Sequence, residues 1–113
     1  MVVGTGLCQY TGKHLYSASD VDIDHVVSLK EVHVSGGVSW SKRKRFKFAN
    51  DFDNLLAVYD RENRKKSSKG PDKWKPPLKS YRKEFARRWR YVKKKWGLRI
   101  SNKEERALGK MDR

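Results

Sequence analysis

The chain has 113 residues, of which 28 are lysine or arginine and 13 are aspartate or glutamate, so its formal net charge is +15 at pH 7. A chain of this length makes one domain, residues 1–113, with a single core. So large an excess of cations indicates a polyanionic partner, and nucleic acid fits better than an acidic membrane or an acidic protein. Cys8 is the only cysteine, which excludes an internal disulfide and a cysteine-rich zinc site.

The N-terminus, residues 1–10, has neither a basic leader nor an apolar run of signal-peptide length. No stretch approaches the roughly 20 apolar residues of a membrane span. The sequence therefore predicts a soluble protein of the cytoplasm with no membrane partner.

The first predicted elements are a hairpin-like entry and a strand. Residues 1–19 contain Thr11-Gly12-Lys13, which is typical of a turn. From Val21 a strand is predicted to run through Val27 toward Leu29.

Three carboxylates share one face of this strand. Asp20, Asp22 and Asp24 alternate with apolar residues, and side chains two residues apart point to the same side of a strand. Neutralisation by basic neighbours is the ordinary explanation in so basic a chain. The functional alternative is a hard divalent cation on Asp24 with His25 beside it.

The middle of the chain predicts short helices and a second strand. Residues 29–33 are expected to form a helical turn that stops at Gly36-Gly37. Residues 40–49 have the pattern of a basic helix. Residues 55–58 fit a buried strand, and residues 60–66 fit a short helix that leads into a basic, proline-containing loop.

The last third predicts a long basic helix. One stripe of an α-helix is formed by Tyr81, Phe85, Trp89, Val92 and Trp96. Gly97 follows where a C-terminal cap is expected, and Ser101 with Glu104 predicts the capping box of a short final helix. Together the elements predict an α+β fold.

Several separated blocks occur in a fixed order: Asp22-Ile23-Asp24-His25-Val26-Val27-Ser28-Leu29, Ser35-Gly36 with Trp40, Phe48-Ala49-Asn50-Asp51-Phe52-Asp53-Asn54-Leu55-Leu56-Ala57-Val58, Asn63-Arg64-Lys65-Lys66, and Pro71-Asp72-Lys73-Trp74-Lys75-Pro76-Pro77. The series resembles an HNH endonuclease of the ββα-metal nuclease superfamily, in the branch without zinc-binding cysteine pairs. The resemblance covers about residues 8 to 98. It implies a ββα-metal motif with flanking helices and a metal-dependent endonuclease or nickase that acts on DNA, most readily double-stranded.

The resemblance also implies a role for each of four polar residues. His25 would be the general base that takes a proton from water, because an imidazole can accept a proton at neutral pH. Asp24 would bind one divalent metal ion and Asn63 would complete the protein's share of its ligands. Asn54 would hold the His25 segment by hydrogen bonds. Mg²⁺ or Mn²⁺ is the expected metal, although other HNH branches often have histidine where this chain has Asn63, which leaves softer ions open.

Further acids and cations complete the sequence-based site. Asp22 and Glu31 are additional acid candidates near the metal. The cations expected to contact phosphates are Arg43, Arg45, Arg64, Lys65, Lys66, Arg87 and Arg88. Such contacts bind independently of base sequence and weaken with salt.

Two other functions remain open from the sequence. A nucleic-acid-binding module without catalysis would use the acidic patch only as an internal salt-bridge partner, and an RNase or toxin of the same motif would cut RNA. Because no separate targeting domain is visible, any sequence specificity would come from a protein partner or from loops. A small stand-alone HNH protein would suit a phage or mobile-element setting.

Overall fold

The computed structural model of the protein describes residues 6–113, which form five α-helices and a two-stranded antiparallel sheet. The strands and helices are β1 (Val21–His25), α1 (Leu29–Val34), α2 (Lys42–Ala49), β2 (Leu55–Tyr59), α3 (Asp60–Lys66), α4 (Lys79–Lys95) and α5 (Asn102–Met111). The predicted α+β class is confirmed. None of the helices within residues 6–113 combines the length and the apolar character needed to cross a bilayer.

The sheet pairs β1 with β2 over the whole length of both strands. Val21 lies opposite Tyr59, and His25 lies opposite Leu55. α1 and α2 fill the connection between the strands, whereas β2 runs directly into α3. α3 contacts both strands, so the last residues of β1, the start of β2 and α3 meet in one region.

β1 buries its acidic face and exposes an apolar side chain. Ile23 is 47% exposed, whereas Asp24 is only 5% exposed. An antiparallel strand ordinarily buries its apolar face, but here α3 packs on the acidic face and supplies polar partners from Asn63 and Lys66. Such partners are needed because a buried charge without one is strongly destabilising.

β1 ends at His25 rather than continuing toward Leu29. The Ser28 hydroxyl accepts a hydrogen bond from the Glu31 N–H and caps the start of α1, so the chain leaves the sheet before that point. Val26 and Val27 are fully buried between the strand and the helix. The predicted helical turn after the strand is confirmed as α1.

The hairpin-like entry is confirmed over residues 7–14. Leu7 and His14 form an antiparallel bridge, and the Cys8 N–H donates to the Lys13 carbonyl at 2.8 Å. Gly12 turns the chain with φ +77°, a conformation that glycine adopts without a steric penalty. Residues 1–5 of the predicted entry lie outside the described residues. The turn brings Tyr10 into the core, where it is fully buried.

α4 carries the predicted apolar stripe, and most of that stripe lies in the core. Phe85, Trp89 and Val92 are buried to 1% exposure or less. Gly97, with φ +68°, follows the end of the helix as predicted. The capping box of Ser101 and Glu104 starts α5. α4 and α5 therefore support the sheet region as the sequence indicates.

A buried ionic network joins α1, α4 and α5. The fully buried Lys93 ammonium donates to Glu31 Oε2 and Glu104 Oε1, both at 2.8 Å, and to the Arg99 carbonyl at 2.7 Å. The Trp89 indole also donates to Glu104, at 2.9 Å. Three acceptors replace the water that the ammonium loses on burial. Glu31 is thus engaged by this network and is not free to act as an additional acid beside a metal.

Candidate active site

The four predicted site residues lie around the junction of β1, β2 and α3. Asp24 and His25 are the last two residues of β1, Asn54 directly precedes β2, and Asn63 lies in the middle of α3. Asp24 and Asn54 are buried, whereas His25 and Asn63 are half-buried. Because neighbouring residues of a strand point to opposite faces, Asp24 shares the α3 side of the sheet and His25 lies on the other side.

Asp24 is held by two buried partners. The Tyr10 hydroxyl donates to Asp24 Oδ2 at 2.6 Å. The Lys66 Nζ atom lies 3.3 Å from Asp24 Oδ1 and 3.2 Å from Oδ2. Lys66 is fully buried, donates to the His25 carbonyl at 3.1 Å, and lies 5.9 Å from the centre of the Trp74 ring. The ammonium therefore links α3 to both residues at the end of β1.

Burial dominates the electrostatics of these three groups. It raises the pKa of Asp24 from its ordinary value although Lys66 opposes that shift. It lowers the pKa of Lys66 although Asp24 opposes it. Burial, with the Asp24 charge beside it, raises the pKa of the Tyr10 hydroxyl, which keeps this hydroxyl a hydrogen-bond donor. Each direction follows from the loss of hydration of the charged form.

His25 has a defined tautomer. Its Nε2 atom lies 2.9 Å from the backbone carbonyl oxygen of Ala49, at the end of α2. A carbonyl oxygen only accepts hydrogen bonds, so Nε2 carries the proton and the neutral ring has its lone pair on Nδ1. Nδ1 has no hydrogen-bond partner among residues 6–113. The ring is thereby oriented by α2 with one nitrogen able to accept a proton.

Asn54 fixes the backbone that follows His25. The Val27 N–H donates to Asn54 Oδ1 at 2.8 Å, and Asn54 Nδ2 donates to the Val27 carbonyl at 2.9 Å. The Val26 N–H donates to the Asn54 backbone carbonyl at 2.9 Å. These three bonds satisfy buried backbone groups that would otherwise be destabilising. Asn54 thus holds the turn directly after the imidazole.

The sequence-based site pairs Asn63 with Asp24, but in the structure Asn63 contacts Asp22. Its Nδ2 atom donates to Asp22 Oδ2 at 3.2 Å. Asp22 and Asp24 lie on the same face of β1, two residues apart. The hydrogen bond to Asp22 orients the amide and leaves Asn63 Oδ1 as an acceptor without a donor in the described part of the chain.

The donor atoms on this face are oxygens, the type of ligand that a hard divalent cation prefers. They are carboxylate oxygens of Asp22 and Asp24 and the amide oxygen of Asn63, and Mg²⁺ is usually bound by one or two carboxylates together with water and substrate phosphate. Within residues 6–113 no group of three or more histidine, cysteine, aspartate or glutamate residues could hold a metal by itself. From residues 6–113 Asp24 Oδ1 accepts only the 3.3 Å bond from Lys66, whereas Oδ2 is contacted by both Tyr10 and Lys66. Oδ1 is therefore the less engaged of the two oxygens.

The cations named from the sequence differ in how free they are. Arg43 and Arg45 are exposed on α2 and form no ion pair with residues 6–113. Arg64 lies 3.6 Å from Asp60 with its side chain 70% exposed, and Lys65 is exposed as well. These four side chains are accessible to a phosphate.

The other three cations are less free: one is buried, one is exposed but ion-paired, and one is half-buried. Lys66 is buried against Asp24 and cannot contact a phosphate in this structure, because α3 turns it toward the sheet. Arg87 forms a two-point ion pair with Glu84, at 2.7 and 2.6 Å. Arg88 is half-buried. The expectation of a phosphate contact is therefore not met for Lys66, and it stays a prediction for Arg87 and Arg88.

Sequence reasoning missed Tyr10 and the role of Lys66. Lys66 lies three residues after Asn63, on the same side of α3, and this spacing is the one signal that could have indicated its position. Nothing in the sequence around Tyr10 indicates a contact with a carboxylate 14 residues away. Trp74 packs beneath the site: its indole donates to Glu62 at 2.9 Å and its ring contacts Tyr10 at 4.8 Å between centroids.

The chain is a member of a nuclease-related family. Over residues 5–111 it matches the family described as GmrSD restriction endonucleases, C-terminal domain. The chain belongs to this family, because the match covers nearly its whole length. Membership supports the nuclease part of the sequence-based interpretation and does not specify the HNH type. No solved structure was found to match the chain.

A fungal relative extends the comparison. An uncharacterized secreted protein of Arthroderma benhamiae is 44% identical over 110 residues, which are 96% of this chain and 54% of that protein. The chain thus spans about half the length of the curated relative that it matches. The relative is named as secreted, and this contradicts the expectation of a cytoplasmic protein. Neither comparison bears on the phage or mobile-element setting.

Proposed function

We propose that the protein is a metal-dependent endonuclease of the HNH type that hydrolyses phosphodiester bonds of DNA. The observation that carries the proposal is the orientation of His25, whose Nε2–H is bound to the Ala49 carbonyl so that Nδ1 can accept a proton. Membership in a restriction endonuclease family supports DNA as the substrate, and the net charge of +15 supports a polyanion.

The proposed reaction uses His25 as the general base. Its Nδ1 atom accepts a proton from water as the water oxygen forms a bond to phosphorus. The bond from phosphorus to the 3′ oxygen breaks, and that oxygen takes a proton from solvent, which leaves 5′-phosphate and 3′-hydroxyl ends. Asn54 contributes by fixing Val27, two residues after the base. A base held in this way needs little reorganisation when the substrate binds.

Asp24 and Asn63 are the proposed ligands of a divalent cation, Mg²⁺ or Mn²⁺. The support is the donor chemistry: the less engaged oxygen of Asp24 and the free Oδ1 of Asn63, beside the carboxylate of Asp22. A bound cation would stabilise the charge that develops on the phosphate and on the departing 3′ oxygen. Arg43, Arg45, Arg64, Lys65, Arg87 and Arg88 are the proposed phosphate contacts.

One observation favours a second candidate function. Lys66 forms an internal salt bridge with Asp24. This is the arrangement expected of a nucleic-acid-binding module without catalysis. In that case Asp24 only stabilises the fold, and the protein functions by binding nucleic acid through its basic surface. The two candidates differ in their response to metal ions, because binding by a charged surface needs none.

The test is a cleavage assay on supercoiled plasmid in EDTA, Mg²⁺ and Mn²⁺, with a parallel reaction on structured RNA. Nicked or linear plasmid that appears with metal ions but not with EDTA supports the endonuclease. Cleavage of RNA without cleavage of plasmid indicates the RNase. Asp24→Asn and Asn63→Ala should weaken Mn²⁺ binding measured by calorimetry, whereas Asp20→Asn, a matched acid before β1, should not. Plasmid binding without cleavage in any metal would support the binding module instead.

We also infer an extracellular location, because the fungal relative is named as a secreted protein. The chain's single cysteine is buried and free, so no exposed thiol is available to react outside a cell. Recovery of the protein from culture medium rather than from cells of its source would test this.

A further inference from the structure

A second basic surface lies outside the candidate active site. A groove of about 680 Å³ runs between residues 71–75, α4 and α5, and we call it the C-terminal groove. Six cations line it, Lys73, Lys75, Arg82, Lys103, Arg106 and Lys110, against a single carboxylate, Asp72. Only Arg82 belongs to the helix that the sequence marks as strongly basic.

The groove cations form no ion pair within the described part of the protein. None of the six forms an ion pair among residues 6–113, and Arg82 donates only to the Pro76 carbonyl, at 2.8 Å. Two α4 cations outside the groove are neutralised instead: Arg90 pairs with Glu105, and Lys95 pairs with Asp51. Like charges gathered without counter-charge destabilise the folded state, and a polyanion relieves that repulsion.

The shape of the groove favours a chain of phosphates over a single anion. Six cations spread over residues 73 to 110 surround one continuous space, so a small anion would meet only a few of them. The remaining lining includes Pro71, Trp74, Ala107 and Met111, which offer apolar contacts to sugars between phosphates. Repeating charge with apolar units between is the pattern of a nucleic-acid backbone.

Trp74 connects the groove to the candidate active site. It lines the groove, while its indole N–H donates to Glu62 of α3 and its ring lies 5.9 Å from the Lys66 ammonium. Lys66 in turn contacts Asp24 at 3.2 Å. Trp74 and Lys66 therefore link the groove to Asp24 on the α3 side of the sheet.

We propose that the C-terminal groove binds the sugar-phosphate backbone of the DNA that flanks the cleaved bond. The choice of DNA as the ligand rests on the proposed function, whereas the binding groove itself is inferred from the six cations and from their lack of ion-pair partners among residues 6–113. The longest dimension of the molecule is 40 Å, which corresponds to about 12 base pairs at 3.4 Å each. A duplex of about 24 base pairs is thus long enough to cover both the site and the groove.

The test compares two triple variants in a His25→Ala background, so that no DNA is cut. Lys103→Ala, Arg106→Ala and Lys110→Ala remove three groove cations. Lys30→Ala, Lys83→Ala and Lys94→Ala remove three exposed cations outside the groove, none of them ion-paired within residues 6–113. Binding of a labelled 24-base-pair duplex is measured by fluorescence anisotropy in EDTA between 50 and 200 mM salt.

The groove variant should bind more weakly and respond less to salt. Three lost phosphate contacts reduce the slope of log affinity against log salt by about 2.7, so the parent should lose about 40-fold more affinity than the variant across this range. The control variant should keep the parent's slope. Equal slopes in both triple variants, or no change in the groove variant, would overturn the proposal. The groove variant could bind DNA more weakly while the wild type fails to cleave plasmid. That combination would reject the proposed endonuclease activity but would still support DNA binding by the groove.

Discussion

The Lys66 ammonium lies 3.2 Å from Asp24 Oδ2, and both side chains are buried. Removal of the cation leaves a carboxylate buried without its charge partner, which costs far more than the pair itself contributes. Lys66→Met should therefore lower the free energy of unfolding by about 3–5 kcal/mol, measured by urea denaturation at pH 7. Lys65→Ala, a change at the exposed neighbour, should stay within about 0.5 kcal/mol. Equal effects of the two substitutions would mean that the pair does not hold α3 to β1.

Tyr10 and Tyr81 form a natural pair for testing the hydrogen bond to Asp24. Tyr10→Phe removes the 2.6 Å bond but keeps the ring packed on Trp74, so we expect a loss of about 2 kcal/mol, as for a bond to a charged group. The Tyr81 hydroxyl is buried without a partner among the described residues, so Tyr81→Phe should change stability by less than about 0.5 kcal/mol. Thermal denaturation of both variants measures the difference. A Tyr81→Phe loss as large as that of Tyr10→Phe would contradict this account of Asp24.

Asn54 should matter for both stability and cleavage. Asn54→Ala leaves the buried N–H and C=O of Val27 without partners, at a cost of about 3 kcal/mol, and it frees the turn after His25. Cleavage should fall at least about tenfold because the base loses its orientation. Asn50→Ala, which removes only an exposed bond to the Phe46 carbonyl, is the control for both readouts. Full activity in Asn54→Ala would remove Asn54 from the site.

Glu104 should make the protein sensitive to acid. Burial acts to raise the pKa of Glu104, but hydrogen bonds from Lys93 and from the Ser101 N–H outweigh it, so the pKa lies below its ordinary 4.5. A carboxyl group with a lowered pKa in the folded state contributes stability above its unfolded value, and that contribution is lost as pH falls through the folded value. Urea denaturation from pH 7 to pH 3 should show this decline in the wild type.

Two glutamine variants separate this acid effect from other carboxylates. Glu104→Gln should be less stable at pH 7 and should lose less stability on acidification. Glu105→Gln, one residue along α5 with its side chain 53% exposed, should keep the wild-type pH dependence. If the wild type and Glu104→Gln decline in parallel, the Lys93 network does not account for the acid sensitivity.

Elements with strong local signals could be predicted from the sequence. The apolar stripe of α4, the capping box of Ser101 and Glu104 and the bounds of α3 all depend on residues within a few turns of one another. That Asp24, His25, Asn54 and Asn63 lie around one junction agrees with what the resemblance to HNH endonucleases implies. Local periodicity and block order therefore account for most of the fold.

The contacts that define the site could not be predicted, because they depend on tertiary packing. Asp24 meets Lys66 across 42 residues, and Asn63 meets Asp22 across 41. Both contacts exist because α3 packs on the acidic face of β1 instead of leaving that face in water. The C-terminal groove likewise forms only when residues 71–75 and α5 come together beside α4, so its cations carry no local signal.

Plasmid cleavage by a matched pair of histidine variants tests the central claim most directly. In Mg²⁺ or Mn²⁺ the wild type should nick or linearise supercoiled plasmid, and His25→Ala should lower the rate by about 10²–10⁴-fold, the range for loss of a general base. His33→Ala, a change at an exposed histidine of α1, should cut at about the wild-type rate. Equal rates for His25→Ala and the wild type, or no cleavage by the wild type with any divalent cation, would contradict the assignment of His25 as the base.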